Sequence, residues 1–257
     1  MRPLLSDNIS LMNKNTILVG IAALLAGFIG GFVLANKLNG AEIASLRSQL
    51  GPQTQANSNQ ALPADQFSLS DDEIRAKIAE ADRNPTNFAF QKDLGIGLYR
   101  YAAMKQDIAL FQESLRILER ADSINNRDFD VLVAVGNGYF DLGFAKKELA
   151  SFQKARENYA RALAIRPGDA DVQTDVGISY FVQEPPDYAK AAAELQKVID
   201  ANPRHTRSMQ FLAEVLIKQN KLAEAEKLLG RLKELDPNNN VIPELTSRIE
   251  AAKGSIK

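Results

Sequence analysis

The chain of 257 residues has no cysteine, no tryptophan and a single histidine, His205. Without cysteine it cannot form disulfides, thiolate zinc sites or a lipidated-cysteine anchor. One histidine provides no pair of imidazole ligands for a metal. His205 lies in a turn before a helix, at the position equivalent to Asn87, Asp128, Asp169 and Asn239, where Asn and Asp side chains can accept hydrogen bonds from the N–H groups of the first helical turn. Lysine plus arginine number 31 against 32 for aspartate plus glutamate, so the net charge of −1 gives no electrostatic argument for a nucleic-acid partner.

Motifs that carry enzyme chemistry are also missing. The sequence has no Gly-rich phosphate-binding loop, no Cys/His pair and no His-x-x-x-His. Gly95-x-Gly97 lies inside a helical pattern rather than after a strand, so it is not a nucleotide fingerprint. We therefore predict that the protein is not an enzyme, with no catalytic, metal-binding or cofactor-binding residues.

One long apolar run lies near the N-terminus. The twenty residues from Thr16 to Ala35 contain no charge, and a helix of that length spans a hydrocarbon core of roughly 30 Å. We predict a transmembrane helix over residues 16–36, a signal anchor that follows an N-terminal tail, residues 1–15. The alternative is a cleaved signal peptide with Val33-x-Ala35 as the cleavage site, although its apolar region would exceed the 7–15 residues that are typical.

The charges that flank this run do not determine its orientation. Arg2 and Lys14 precede it, and Lys37 and Arg47 follow it, so the positive-inside rule favours neither side. A short N-terminal tail usually stays in the cytoplasm, which predicts a single-pass inner-membrane protein whose remaining residues lie in the bacterial periplasm.

Small residues recur at every fourth position of the predicted span. Such a ridge lets two membrane helices pack closely and predicts a homodimer through the transmembrane helix. The alternative is that small residues are simply common in membrane spans. The four residues are Ala23, Gly27, Gly31 and Ala35.

Residues 37–69 are predicted to connect the membrane to a folded domain. Ile43, Leu46 and Leu50 indicate a short helical stalk, which ends at Gly51-Pro52. The following stretch is rich in Gly, Pro, Gln and Asn and cannot bury a core, so we expect a disordered, flexible linker.

The remaining domain, residues 70–257, repeats one pattern. A small residue lies between a large apolar residue and a second large residue three positions later, and the steps between the small residues are 41, 41 and 36. Periods of this size indicate stacked helical hairpins, and small residues would let the two helices of a hairpin approach closely. The small residues are Gly95, Gly136, Gly177 and Ala213 on the first helices and Ser114, Ala155, Ala191 and Ala225 on the second. The large residues that follow on the second helices are Leu118, Tyr159, Leu195 and Leu229.

This pattern resembles the tetratricopeptide repeat (TPR), most closely over residues 158–167, NYARALAIRP. The resemblance predicts an all-α, right-handed TPR solenoid of about four helical hairpins with flanking cap helices, preceded by the one transmembrane helix and the linker. The repeats are residues 88–128, 129–169, 170–205 and 206–239, and the cap helices are residues 70–83 and 243–252. Departures are the missing proline of the first repeat and the family's Trp position, which holds Gln91, Leu132, Gln173 and Met209.

The first two repeats are seven residues longer than the basic 34. Seven residues is about two helical turns, so each helix of these hairpins can gain one turn without losing register. We expect Phe111 and Phe152, which lie in the extensions, to pack within their own hairpins; the alternative is an exposed lip over the third repeat.

By resemblance to the family, the first helices line a concave peptide-binding groove. Three aromatic residues at one equivalent position would form a ladder there; the alternative is that these rings close against the next repeat or are covered by the linker. The family's clamp for a terminal carboxylate is incomplete, because Ile178 and Glu214 follow Lys92 and Asn137. The predicted groove residues are Lys92, Ile96, Tyr99, Arg100, Asn137, Phe140, Thr174, Ile178, Phe181 and Gln210, and Asp141 and Glu214 fall on the same face.

These observations predict a membrane-anchored TPR scaffold or adaptor in the bacterial cell envelope that binds protein or peptide partners. One alternative is an assembly factor or chaperone for envelope proteins, such as the anchored repeat modules of cytochrome c maturation. Another is a structural protein that self-associates through the ridge of small residues in the predicted span.

Overall fold

The computed structural model describes residues 70–254. In that range the chain forms ten α-helices and no strand, so the all-α prediction is confirmed there. The helices are α1 (Asp71–Arg83), α2 (Phe88–Lys105), α3 (Ile108–Ile124), α4 (Phe129–Lys146), α5 (Leu149–Ile165), α6 (Ala170–Val182), α7 (Tyr188–Ala201), α8 (Thr206–Lys218), α9 (Leu222–Leu235) and α10 (Ile242–Gly254).

The helices pack as four consecutive hairpins. The pairs α2–α3, α4–α5, α6–α7 and α8–α9 have the closest contacts, α1 packs on α2, and α10 packs on α8 and α9. Each second helix also contacts the first helix of the next hairpin. The core is therefore continuous along the stack, because each hairpin covers the apolar side of its neighbour.

Polar side chains start most of these helices as the sequence predicts. Asn87, Asp128 and Asp169 each accept a hydrogen bond from a backbone N–H in the first turn of α2, α4 and α6. The imidazole of His205 does the same for α8 by accepting from the N–H of Ser208. The only histidine therefore has a structural role as a helix cap.

Glycines allow the helices of each hairpin to approach closely. A Cβ atom on Gly95 would lie 2.7 Å from Cγ of Leu118, and one on Gly177 would lie 2.7 Å from Cγ of Leu195. These partners are large residues that follow the small residue of the second helix in the repeat pattern. The expectation that small residues permit close packing is confirmed at these positions.

The hairpins have two lengths. The helices of the first two have 18 and 17 residues, whereas those of the last two have 13 and 14. The extensions bury Phe111 and Phe152 in the core, so the expectation that these rings pack within their hairpins is confirmed.

Residues 70–254 contain no helix that combines the length and the apolar character needed to cross a membrane. The predicted span over residues 16–36 lies outside the described residues, as do Ala23, Gly27, Gly31 and Ala35, the stalk and the linker.

Candidate functional site

The first helices of the hairpins and the cap helix α10 form the inner row of the stack. α2, α4, α6, α8 and α10 contact one another in sequence, whereas the second helices contact one another marginally at most. Helices in the closer row lie on the side toward which a solenoid curves. We call the exposed side of these five helices the inner face.

The ten predicted groove residues divide by exposure. Those that are buried can contribute only to the floor of a groove, and those that are exposed or half-buried are available to a ligand. Buried are Tyr99 at 7%, Asn137 at 7%, Thr174 at 0% and Ile178 at 1%. Half-buried are Lys92, Ile96, Phe140, Phe181 and Gln210, and Arg100 is exposed.

The buried polar members of this set are already bonded within the domain. The Thr174 hydroxyl lies 2.6 Å from Oγ of Ser208 on α8 and donates to the carbonyl of Ala170. Oδ1 of Asn137 accepts a hydrogen bond of 2.8 Å from the Tyr159 hydroxyl on α5. These residues hold neighbouring helices together, because a buried polar group is stable when it has a partner.

The predicted aromatic ladder packs inside the hairpins. The ring centroid of Tyr99 lies 5.8 Å from that of Phe111, and the ring centroid of Phe140 lies 5.5 Å from that of Phe152 in an edge-to-face arrangement. The ring of Phe181 lies 6.0 Å from that of Tyr188. Each ring therefore closes against the second helix of its own hairpin, which neither sequence-based alternative describes, and Phe140 and Phe181 keep part of their surface exposed.

A lysine links the first two inner helices. Nζ of Lys92 lies 2.9 Å from both carboxylate oxygens of Asp128 and 2.9 Å from Oδ2 of Asp130. Burial alone would lower the pKa of Lys92, but hydrogen bonds to the two carboxylates raise this pKa above its usual value. The ammonium group of Lys92 is thus already ion-paired with the N-terminal end of α4.

An arginine forms the same kind of link between α6 and α8. Nη2 of Arg207 lies 2.5 Å from Oδ1 of Asp175, and Nη1 lies 3.7 Å from Oδ1 of Asp171. Burial raises the pKa of Asp175 above its usual value although Arg207 opposes this. The pair fixes the distance between the two helices, because breaking it would leave a buried charge.

A second arginine forms the link between α8 and α10. Nη1 of Arg248 lies 2.5 Å from Oε2 of Glu214, and Nη2 lies 2.5 Å from Oε1 of Glu244. Burial raises the pKa of Glu214, and Arg248 opposes that effect. Lys92, Arg207 and Arg248 are therefore each shared by two carboxylates.

Asp141 on α4 differs from the other carboxylates of this face. Its Oδ2 accepts a hydrogen bond of 2.8 Å from the Tyr99 hydroxyl, and within residues 70–254 it forms no ion pair with lysine or arginine. Burial raises the pKa of Asp141 to about 7, the Tyr99 hydroxyl acts in the opposite direction, and the negative charge of Asp175 raises it further.

Sequence reasoning placed Asp141 and Glu214 on the groove face but identified none of these links between helices. Asp175 lies one position after Thr174, outside the set of groove positions that the family suggests. The missed signal is the placement of acidic residues on α6 opposite Arg207, which can be recognised only when the register between hairpins is known. Among residues 70–254, no group of three or more His, Asp or Glu side chains has an arrangement suited to a metal ion.

Comparison with known proteins agrees with this architecture. Residues 186–249 match a family model described as tetratricopeptide repeat. No curated protein matches the sequence significantly. The match supports the TPR resemblance for the last part of the stack, and no enzyme family is indicated.

Several solved structures share the fold. A tetratricopeptide repeat protein from Parabacteroides merdae ATCC 43184 aligns with a TM-score of 0.55 and 19% identity, over 71% of this chain and 65% of that one. MamA from Desulfovibrio magneticus RS-1 aligns with a TM-score of 0.51 and 16% identity, over 66% of this chain and 86% of that one. The Pseudomonas aeruginosa pilF structure aligns with a TM-score of 0.50 and 19% identity, over 66% and 72%. The described domain therefore has the fold of a TPR solenoid.

Proposed function

We propose that the protein is a membrane-anchored adaptor whose inner face binds a peptide segment of a protein partner. The observation that carries this proposal is the composition of the inner face, where the partly exposed apolar side chains of Ile96, Phe140 and Phe181 lie beside polar groups such as Arg100 and Gln210. A groove that combines apolar surface with a few polar groups suits an extended or helical peptide.

The proposed location is the periplasmic side of a bacterial inner membrane, with residues 16–36 as the anchor. Support comes from the sequence alone: an uncharged run of twenty residues and a short preceding tail. A C-terminal alkaline phosphatase fusion should be active, because the enzyme matures only in the periplasm. An abundant but inactive fusion would contradict the orientation, and release of the intact chain by carbonate washing would contradict the anchor.

Site-specific photocrosslinking in cells tests the binding face. A photoreactive amino acid at Arg100 or Gln210 reports on the inner face, and one at Lys233, an exposed residue of the outer helix α9, is the matched control. We expect one discrete crosslinked partner from the two inner positions and none of that size from the outer one. Identical products from all three positions, or none from the inner ones, would argue against a peptide-binding inner face.

A further inference from the structure

The charges of the inner face are unevenly balanced. The groups centred on Lys92, Arg207 and Arg248 each contain one cation and two carboxylates, so each carries one net negative charge. Asp141 adds a further carboxylate, and the exposed Arg100 adds a cation. The whole chain has a net charge of only −1, and the middle of the inner face is therefore more acidic than the composition suggests.

The contact between α4 and α6 is built differently from its neighbours. Cationic side chains join α2 to α4, α6 to α8 and α8 to α10, as described above. Between α4 and α6 no side-chain hydrogen bond or ion pair is formed among the described residues. Just beyond these two helices, at the hairpin tips, Lys147 and Glu184 form an exposed ion pair of 3.0 Å.

Two carboxylates lie at this unlinked contact. Asp175 of α6 is buried and forms an ion pair with Arg207. Asp141 of α4 accepts a hydrogen bond from the Tyr99 hydroxyl and has no other side-chain partner among the described residues. Arg100 occupies the position equivalent to Asp141 in the first repeat, but its side chain is exposed and forms no ion pair with Asp141. A carboxylate with a neighbouring negative charge and no cation is unfavourable when ionised.

An amide donor accompanies this carboxylate on the same helix face. Asn137 lies one turn before Asp141, so both side chains share one side of α4. Asn137 is only 7% exposed, its Oδ1 accepts from Tyr159, and its amide nitrogen donates no hydrogen bond to any described residue. The half-buried ring of Phe140 is adjacent in sequence to Asp141. A ligand at this place meets an acceptor with negative charge, a donor and an aromatic surface.

We infer that the inner face between α4 and α6 recognises a lysine or arginine side chain of the bound peptide, with Asp141 as the ion-pair partner and the Asn137 amide as donor to a peptide carbonyl. This inference rests on the proposed peptide-binding function and specifies its ligand. Charge complementarity selects the occupant, since an incoming cation supplies the partner that Asp141 lacks. An acidic peptide would instead add repulsion to a face whose carboxylates outnumber its cations.

Binding should depend on pH in a defined direction. The groups that face Asp141 are the Tyr99 hydroxyl of α2 and Asp175 of α6, which is paired with Arg207 of α8. Burial raises the pKa of Tyr159 of α5, and the negative charges of Asp175 and Asp141 raise it further. The pKa of Asp141 without a ligand is raised to about 7, and only the ionised form attracts a cation. The affinity for a basic peptide should therefore rise as the pH increases from 6 to 8.

The experiment uses the full chain in lipid nanodiscs and an array of random octapeptides that are acetylated at the N-terminus and amidated at the C-terminus. Blocked termini leave side chains as the only source of positive charge. The best binder is then compared, by fluorescence anisotropy, with a version in which its basic residue is replaced by uncharged norleucine or citrulline. The variants are Asp141→Asn and, as a matched control on the outer helix α7, Asp200→Asn at an exposed position.

We expect the wild type to select peptides with Lys or Arg at one position and to lose roughly tenfold or more in affinity when that charge is removed. Asp200→Asn should behave identically, whereas Asp141→Asn should bind the charged and uncharged peptides about equally. Tyr99→Phe keeps the carboxylate and should keep the preference for a basic residue. This variant distinguishes a ligand-binding role of Asp141 from a purely structural hydrogen bond.

Two other outcomes separate the inference from the proposed function. If the wild type binds peptides without a basic preference, or if Asp141→Asn retains that preference, the inferred role of Asp141 is wrong and the peptide-binding function stands. If neither the wild type nor any variant binds a peptide from the array, the peptide-binding function is wrong and the inference fails with it.

Discussion

Replacing Gly136 by alanine should destabilise the second hairpin. A Cβ atom on Gly136 would lie 2.5 Å from Cε1 and 2.6 Å from Cδ1 of Tyr159, well inside van der Waals contact. The ring cannot easily move, because Tyr159 is 1% exposed and its hydroxyl donates a hydrogen bond of 2.8 Å to Asn137. The methyl group must therefore push α4 and α5 apart or displace the ring.

Two opposing terms determine the size of the effect. Forcing an extra methyl into a packed core costs about 1–3 kcal/mol, and the rigid ring places this case near the upper end. Alanine is favoured over glycine in a helix by about 1 kcal/mol. The net expected loss in the free energy of unfolding is about 2 kcal/mol, which corresponds to roughly 4–8 °C in Tm for a domain of this size.

Gly97 provides the matched control. It also lies inside a helix of the inner row, but a Cβ there would meet no atom within 4 Å. Gly97→Ala should therefore show the propensity term alone and stabilise the domain by about 0.5–1 kcal/mol.

Urea denaturation followed by circular dichroism, on residues 70–257, measures both variants. Because repeat arrays can unfold in parts, hydrogen exchange should locate the loss of protection in α4 and α5. A Gly136→Ala protein at least as stable as the wild type, or a Gly97→Ala protein destabilised to the same degree, would refute the packing argument.

Three further predictions concern single side chains. The folded-state pKa of Asp141, about 7, lies above the usual value of 3.8. Protonation of this carboxyl therefore stabilises the fold fully below pH ~4, and that stabilisation is lost as the pH rises through 7. Asp141→Asn should raise the free energy of unfolding at pH 8, by at most about 4 kcal/mol, and change it little at pH 4. Glu148 begins α5 without a side-chain capping bond, whereas the equivalent Asp107 accepts from two backbone N–H groups at 2.9 and 3.0 Å, so Glu148→Asp should raise Tm, with a gain of about 0.5–1 kcal/mol. Ser208 is buried and lies 2.6 Å from the hydroxyl of Thr174, so Ser208→Ala should cost about 1–3 kcal/mol in urea denaturation.

Each of these predictions has an outcome that would contradict it. An equal effect of Asp141→Asn at pH 4 and pH 8 would show that the carboxyl is not protonated in the folded state near neutrality. A Glu148→Asp protein no more stable than Glu148→Ala would exclude capping as the cause. For Ser208, the double variant with Thr174→Val should lose less stability than the sum of the two single losses, because either single variant already removes the hydrogen bond between the two hydroxyls; full additivity would argue against the bond.

Much of the architecture follows from spacing in the sequence. The recurrence of small residues and of the large residues that face them predicts the hairpins, because a glycine such as Gly177 and its partner Leu195 belong to one local unit of helix, turn and helix. Capping residues such as Asp169 likewise act within one turn of their own position. These features are local, so the register along the chain determines them.

The candidate site is less accessible to sequence reasoning. The contacts of Lys92 with Asp130 and of Arg207 with Asp175 join residues 38 and 32 positions apart, and they depend on how far each hairpin is rotated against the next. A change of one helical position in that rotation would exchange one partner for another. The sequence therefore predicts which helices form the inner face, while the structure determines which of their charges are already paired.

The two hairpin lengths indicate how this scaffold can be extended. The first two hairpins keep the same glycine contacts between their helices as the third, although their helices are three to five residues longer. The extra length, about one turn in each helix, therefore lies toward the hairpin tips and leaves the inner row in place. A designer could graft the same seven-residue extension onto the fourth hairpin to widen the protein at one edge while preserving its inner face.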